Sequence, residues 1–258
     1  MRIANILNAQ NYNNSFRSNK QKSYIEDSVS CKNTEVWHTT CLFRGSYQYW
    51  IALANFMTEN FKDKDKVNVY DLACSDGSET YSIAIALNEV SRFTGENSKF
   101  LPIFGSDFNK DMIKIARSGK LDLSYTDFKN LSIQTQKPLD YFYGPDFPIL
   151  ESNANNTNYN SYSACKYLQN AVCFEQKDIN SKLNEIQDNG NTVVFIRNVF
   201  PYLSGEYLKE TMNLLNTKLK AGSMLILGDL ENCSHYYTND LLEKFKPVCG
   251  ATVFRKFV

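Results

Sequence analysis

The chain has 258 residues, which is enough for one sizeable α/β domain and too few for two enzyme-sized domains. Its 28 Lys and Arg residues balance 28 Asp and Glu residues, so no chain-wide charge would attract a nucleic acid. Seven cysteines with no CxxC pair fit a disulfide framework or a zinc site poorly. They are predicted to be free thiols in a reducing compartment.

The sequence contains no apolar run close to the roughly 18 residues of a membrane span, and its first residues lack the apolar core of a signal peptide. We therefore expect a soluble, cytoplasmic protein. Its two histidines, His38 and His235, share no ligand spacing with the cysteines, so no metal site is predicted.

The first predicted element is an arm over residues 1–36, where Asn, Ser and Lys are frequent and apolar residues are too scattered to offset the entropy of folding. Residues 37–258 form the predicted domain. It begins with an amphipathic helix, and the charged run at 62–66 then predicts a solvated loop. The predicted buried face of that helix consists of Tyr47, Trp50, Ile51, Ala54 and Met57.

Short apolar strands and amphipathic helices alternate through the rest of the domain. Helices are predicted after the N-caps Asn109 and Ser204, and a further helix over 238–245. This alternation predicts a mostly parallel, twisted α/β sheet with helices on both faces and an antiparallel strand at the C-terminus. The predicted strands are residues 67–73, 101–107, 171–177, 192–198 and 223–229, followed by a hairpin that turns at Gly250.

An Asn-rich segment, residues 151–163, interrupts the alternation with the sequence ESNANNTNYNSYS. Asn side chains compete with regular backbone pairing by making their own local hydrogen bonds. The segment is therefore predicted to be a loop or insertion that leaves the domain as one unit.

The turn after the first strand has the sequence DLACSDGSETYSIAIAL, which starts at Asp71. Ligands of parallel α/β sheets bind beyond the carboxyl ends of the strands, and this first turn is the usual place. Small residues alternate from Ala73 to Gly77 and let the backbone approach a ligand, while Asp71 and Glu79 supply acceptor oxygens. The turn contains neither a Walker lysine nor GxGxxG, so a phosphate ligand is not expected.

A second acid, Asp107, ends the next predicted strand, where acids hold ribose hydroxyls in dinucleotide-binding folds. Acids at two successive strand ends favour a nucleoside without a phosphate. The alternative is that Asp71 and Asp107 only cap the helices that follow them.

Six segments, in order, resemble motifs of the CheR-type chemotaxis receptor glutamate methyltransferases. The segment LACSDGSETYSIA is similar to the family's AGCSTGEEPYSLA, and TTCLFRG is similar to its T-x-F-F-R segment. The other four segments are GSDFNKDMIKIARSGKL, FEQKDI, VFIRNVFPYL and LKAGSMLILGDLEN. The resemblance covers residues 37–258, and it implies a class I, Rossmann-like methyltransferase that uses S-adenosylmethionine and releases S-adenosylhomocysteine.

The resemblance also implies roles for single residues in cofactor binding. Glu79 would hold the methionine part and Asp107 the ribose, while Asp178 and Ile179 would meet the adenine. Asp71 and Ala73 belong to the same nucleoside-binding turn.

Other matched residues would lie near the transferred methyl group. Thr40 and Arg44 match positions that contact the cofactor there. His38, two residues before Thr40, stands where the family usually has a cofactor-contacting Asn and would contact the cofactor similarly. Tyr202 would face the methyl group, and Arg44 would orient a carboxylate acceptor. Arg197 and Asn198 would line the floor of the pocket.

The resemblance therefore implies an enzyme that methylates a carboxylate oxygen, either of a protein, as the family does with glutamate, or of a small molecule. Such an acceptor carries its own lone pair, so neither a general base nor a metal is needed. The family's N-terminal helical domain, which helps to engage receptors, does not fit into residues 1–36. The acceptor is therefore expected to be either a chemoreceptor or another carboxylate. Two alternatives stay open: N-methylation through NVFPY, a segment similar to N-P-P-Y, and a non-catalytic binding module.

Overall fold

The computed structural model describes residues 41–91, 97–124, 141–143, 159–229, 231, 244–250 and 252–258. The chain divides into two compact units, a first unit at Thr39–Lys177 and a second unit whose described part lies within Asp178–Val258. The predicted arm, together with His38 and Thr40, lies outside the described residues.

The first unit begins with helix α1, which has Ser46 as its N-cap because the Ser46 hydroxyl accepts a hydrogen bond from the backbone N–H of Tyr49 at 3.2 Å. Trp50, Ala54 and Met57 are buried as predicted, whereas Tyr47 and Ile51 are half-buried. The charged run at 62–66 is exposed, as expected. The helices of this unit are α1 (Tyr47–Asn60), α2 (Ser78–Ser91), α3 (Lys110–Ser118) and α4 (Lys166–Asn170).

Three parallel strands of the first unit bring their carboxyl ends together. These strands are β1 (Asn68–Leu72), β2 (Ile103–Asp107) and β6 (Val172–Gln176). Strand β2 lies between β1 and β6. Its Gly105 pairs with Asp71 of β1, and its Asp107 pairs with Gln176 of β6. Asn109 caps α3 by accepting from the N–H groups of Asp111 and Met112, and Gly119 ends this helix at φ 67°, so both signals are confirmed.

A small antiparallel sheet in the first unit corrects one prediction. It consists of β3 (Lys120–Ser124), β5 (Tyr159–Ala164) and β4 (Phe142–Tyr143), with β5 in the middle. The prediction of a loop over 151–163 is therefore wrong for 159–163, while 151–158 lie outside the described residues. Strand β5 pairs with chain segments distant in sequence, and this pairing outweighs the local preference of its Asn and Ser residues.

The second unit contains the remaining predicted strands. They are β7 (Thr192–Ile196), β8 (Met224–Leu227), β9 (Phe245–Cys249) and β10 (Val253–Lys256). Strands β7 and β8 are parallel and fully buried, β10 is antiparallel to β8, and β9 pairs with β10 around Gly250. Phe245, predicted as the end of a helix, begins β9; residues 238–243 lie outside the described residues.

The helices of the second unit are α5 (Ile179–Glu185) and α6 (Gly205–Lys218). Ser204 caps α6 by accepting from the N–H of Tyr207 at 3.3 Å, as predicted. The parallel strands, the helices between them and the antiparallel C-terminal pair confirm the predicted α/β class. The five cysteines among the described residues are free thiols, and no helix there is long and apolar enough to cross a bilayer.

Candidate active site

Asp71, the first predicted acid, is only 2% exposed at the end of β1. Its Oδ2 accepts a hydrogen bond from the hydroxyl of Thr80 in α2 at 2.5 Å. This contact ties the strand to the helix that follows the turn. Asp71 therefore supports the shape of the turn, and its contact with a cofactor stays a prediction.

The turn itself is held against the end of β2. The N–H of Cys74 donates to the carbonyl of Ser106 at 3.0 Å, and the N–H of Ser75 donates to Oδ2 of Asp107 at 2.9 Å. Ala73 and Ser75 both have left-handed backbones, with φ values of 62° and 51°. Their side chains are small and half-buried. A strained turn of small residues thus joins the carboxyl ends of β1 and β2, the strands that carry Asp71 and Asp107.

Asp107 is 6% exposed and receives two backbone hydrogen bonds. Besides the bond from Ser75, its Oδ1 accepts from the N–H of Asn109 at 2.8 Å. Burial raises the pKa of Asp107, although these two hydrogen bonds oppose the shift. Each carboxylate oxygen has a further lone pair with which it could accept from a hydroxyl.

The raised pKa of Asp107 predicts a pH effect on nucleoside binding. Ribose hydroxyls donate to an ionised carboxylate, so the affinity for S-adenosylhomocysteine should be full above this pKa and fall as the pH drops through it. Because the pKa is raised, the fall begins at a higher pH than for an ordinary Asp. Calorimetric titrations of the wild type and Asp107→Asn across the acidic range test this. A wild-type profile that runs parallel to that of the variant would contradict it.

Phe174 of β6 fills the space beneath the turn. A Cβ on Gly105 would lie 2.6 Å from Cδ1 of Phe174, and one on Gly77 would lie 2.8 Å from its Cζ. Gly77 also has φ 86°, which side chains rarely adopt. The two glycines are therefore required where β1, β2 and α2 approach this ring.

Gly105→Ala should lower the free energy of unfolding by about 1–3 kcal/mol, because the added methyl group overpacks against Phe174. In a double-mutant cycle measured by urea denaturation, Gly105→Ala should lower the free energy of unfolding less in the Phe174→Leu background than in the wild type. Gly205→Ala is the matched control: nothing lies within 4 Å of a Cβ there, at the exposed start of α6. Strictly additive effects of the first two substitutions would contradict the contact.

Phe108 is a site candidate that the sequence patterns did not indicate. It directly follows Asp107 and is 66% exposed, an unusual position for a large aromatic ring. The N–H₂ group of Gln176 donates to its carbonyl at 3.2 Å. An aromatic residue directly after a strand-end acid was the available signal, since a flat base can stack on such a ring.

Arg44 and Glu79 occupy the remaining predicted positions of the first unit. Arg44 is half-buried, and its carbonyl accepts from the indole N–H of Trp50 at 3.1 Å. The preceding residue, Phe43, has φ 51°, and its N–H donates to the hydroxyl of Ser82 at 2.8 Å. The backbone at Arg44 is thus fixed on both sides. Glu79 is half-buried in the first turn of α2.

In the second unit, Asp178 caps α5 and Ile179 is buried at its first position. The Asp178 carboxylate accepts from the N–H of Ser181 at 3.0 Å and from the hydroxyl of Tyr207 at 2.7 Å. Partial burial raises the pKa of Asp178, but these hydrogen bonds outweigh it and the net pKa is lowered. The predicted adenine contacts of Asp178 and Ile179 stay predictions.

The segment after β7 carries the other predicted residues. Arg197 and Asn198 are half-buried, and Asn198 has a left-handed backbone at φ 59°. A 3-10 helix over Phe200–Tyr202 follows and leaves Tyr202 53% exposed. The roles of these residues stay predictions, and the sequence patterns did not indicate what holds the segment in place.

Backbone strain coincides with the predicted site in both units. The described residues include four non-glycine residues at positive φ, and each is a predicted site residue or directly contacts or adjoins one. Such backbones cost of order 1–3 kcal/mol each and cluster at functional sites, so this coincidence supports the predicted site. The four residues are Phe43, Ala73, Ser75 and Asn198.

The described residues around the turn after β1 fit S-adenosylmethionine. The cofactor has no phosphate, and its ribose offers two hydroxyl donors that a carboxylate such as Asp107 can accept. Ala73 and Ser75 have small side chains and leave the backbone approachable. A buried acid beside a strained small-residue turn, in an α/β domain of this order, defines a Rossmann-like domain of the class I methyltransferase type.

Comparison with protein families gives the family. The model described as "CheR methyltransferase, SAM binding domain" matches residues 38–246. The chain therefore belongs to the CheR methyltransferase family, and the matched region is its domain for S-adenosylmethionine. This agrees with the resemblance seen in the six sequence motifs.

The chain is also similar to individual proteins. It is 24% identical over 196 residues to chemotaxis protein methyltransferase Cher2 of Pseudomonas putida, covering 74% of this chain and 65% of that protein. It is 22% identical to chemotaxis protein methyltransferase 1 of Vibrio cholerae, covering 88% of this chain and 75% of that protein. Among solved structures, a ribosomal protein L11 methylase of Lactobacillus delbrueckii subsp. bulgaricus matches 82% of this chain and 80% of that chain at 12% identity with a TM-score of 0.37. The family model, rather than this last likeness, carries the assignment.

Proposed function

We propose that the protein is a methyltransferase that moves a methyl group from S-adenosylmethionine to a carboxylate oxygen, forming a methyl ester. The observation that carries the proposal is the strained backbone at Ala73, Ser75 and Asn198, in a chain of the CheR family. Left-handed backbones at non-glycine residues cluster at ligand-binding and catalytic sites. The chain spans 65% of the P. putida relative, just under two thirds of its length. Membership of the family therefore does not by itself assign this activity to the chain.

In this proposal the first unit binds the nucleoside. Asp107 accepts from the ribose hydroxyls, and the turn from Ala73 to Gly77 brings the backbone close to the ligand. Phe108 offers an exposed ring beside them for stacking. Glu79 holds the amino group of the methionine part, as an acid at the start of a helix can.

S-adenosylmethionine, when bound, supplies an electrophilic methyl group on a sulfonium. The protein's task is then to align an acceptor and to exclude water. Arg44 pairs with the acceptor carboxylate, and the hydroxyl of Tyr202 donates to it. No proton has to be removed from a carboxylate that is already ionised, so a general base is not part of the mechanism.

We propose a protein side chain, glutamate by preference, as the acceptor. The names of the similar P. putida and V. cholerae proteins support an acceptor in a chemotaxis system. Arg44 supports a carboxylate over an amine, because a guanidinium would repel a cationic amine and pairs in a fork with two carboxylate oxygens.

Methyl-labelled S-adenosylmethionine, added with the full chain to an extract of chemotactic bacteria, tests this proposal. We expect label on protein that mild base releases as methanol, because esters hydrolyse under such conditions. Base-stable label would replace carboxyl methylation with N-methylation. Calorimetric binding without any transfer would replace it with a binding module. Asp107→Asn serves as the control for label that other enzymes of the extract transfer.

A further inference from the structure

Glu231 lies three residues after Gly228, and its side chain is fully buried, with 0% exposed. Four backbone N–H groups donate to its carboxylate. Oε2 accepts from Asn198 at 2.7 Å and from Gly228 at 2.8 Å. Oε1 accepts from Phe200 at 3.1 Å and from Val199. These four bonds match the roughly four acceptor positions of a carboxylate.

Three of the four donors are consecutive residues of the segment after β7. This segment turns sharply, because Asn198 has φ 59°. It also presses on Gly228, where a Cβ would lie 2.5 Å from Oδ1 of Asn198. Successive N–H groups that converge on one anion form an anion-binding nest, and here the anion is a side chain of the same unit.

The hydrogen bonds continue from this nest to Tyr202. The N–H of Tyr202 donates to the carbonyl of Val199 at 2.9 Å, which closes the 3-10 turn. Glu231 thus fixes the residues on which the position of Tyr202 depends. A buried carboxylate is costly to desolvate, and hydrophobic side chains would fill the same space without that cost.

We propose that Glu231 is a positioning residue, which holds Asn198 and Tyr202 in the conformation needed for methyl transfer. The proposal rests on the function proposed above, in which Tyr202 contacts the acceptor, and on the expectation that Asn198 lines the same pocket. Glu231 acts only through the segment after β7 and does not touch the acceptor or the cofactor. Its effect should therefore fall on the turnover number rather than on folding alone.

Glu231→Gln tests the proposal, because an amide accepts through one oxygen only and turns its N–H₂ group towards two N–H donors. Hydrogen exchange of the full chain should be at least tenfold faster at the amides of Asn198, Val199 and Phe200. In the labelled-methyl assay with bacterial extract, kcat should fall at least tenfold, with a smaller change in the KM for S-adenosylmethionine. Glu231→Asp, which keeps the charge but is one methylene shorter, should have an intermediate kcat.

Asp188→Asn is the matched control for a general loss of stability. Asp188 is also buried, at 6% exposed, and accepts four hydrogen bonds in the same unit, before β7. Its donors are the N–H groups of Gly190, Asn191 and Lys220 and the hydroxyl of Ser223. This variant should be destabilised without faster exchange at residues 198–200 and with kcat per folded molecule unchanged.

Two results would overturn the proposal. One is unchanged exchange at residues 198–200 in Glu231→Gln, and the other is an equal loss of kcat per folded molecule in both variants. Failure of the proposed function is a separate result, since wild-type protein would then transfer no methyl group at all. In that case the exchange measurement still decides whether Glu231 holds the segment.

Discussion

Asp107→Asn should lower the affinity for S-adenosylhomocysteine at least about a hundredfold in calorimetric titrations. The carboxylate is expected to accept from both ribose hydroxyls, and hydrogen bonds to a charged group are worth roughly 1.5–3 kcal/mol each. The amide keeps one acceptor oxygen but not its charge, so the weakening of one hydrogen bond and the loss of the other together correspond to a factor of about a hundred. The amide would also turn an N–H₂ group towards Ser75 or Asn109, both of which donate to Asp107.

Asp111→Asn is the matched control for Asp107→Asn. Asp111 lies four residues further on, exposed in the first turn of α3, and its loss removes the same charge from the same unit. The affinity of this variant for S-adenosylhomocysteine should stay within about twofold of the wild type, because Asp111 is exposed and water weakens the effect of an exposed charge. Equal affinities of both variants would remove Asp107 from the proposed ribose site.

Arg44→Ala should reduce methyl transfer about a hundredfold while leaving the affinity for S-adenosylhomocysteine nearly unchanged. The guanidinium is proposed to pair with the acceptor carboxylate, and such charge-assisted, forked contacts both bind and orient. Its loss removes the alignment that an in-line displacement requires. Single-turnover rates with labelled cofactor and bacterial extract, combined with calorimetry, separate the two effects.

Lys64→Ala provides the control for Arg44→Ala. Lys64 is a cation of the exposed run at 62–66 in the same unit, so its removal changes the charge equally but touches no proposed site residue. Arg44→Lys should rescue transfer only in part, since an ammonium lacks the planar fork. Wild-type transfer rates in Arg44→Ala would exclude Arg44 from the mechanism.

Local signals were sufficient to predict most of the described fold. The caps at Asn109 and Ser204 and the stop at Gly119 depend on side-chain or backbone properties of single residues. Strands β7 and β8 are short, continuous apolar runs, and such runs are typical of parallel strands that are buried on both faces.

Long-range pairing explains where the predictions failed. Strand β5 contains Asn and Ser residues, and it is a strand because it pairs with Lys120–Ser124 and with Phe142–Tyr143. Phe245 begins a strand because it faces Lys256 across the hairpin, although the residues before it have a helical pattern. Neither partner can be identified from the local sequence.

Local residue types also indicated part of the candidate site, whose contacts with the cofactor stay predictions. Asp107 and the turn after Asp71 were predicted because their residue types and their positions at strand ends suit a nucleoside. The tie from Asp71 to Thr80, the exposed ring of Phe108 and the nest around Glu231 depend on contacts or exposure. These features needed the structure.

The most direct measurement is a crystal structure of the protein with S-adenosylhomocysteine. The account predicts both ribose hydroxyls within hydrogen-bond distance of the Asp107 carboxylate, with the nucleoside against the turn from Ala73 to Gly77. A ribose bound elsewhere, or one held at that turn by groups other than Asp107, would contradict it.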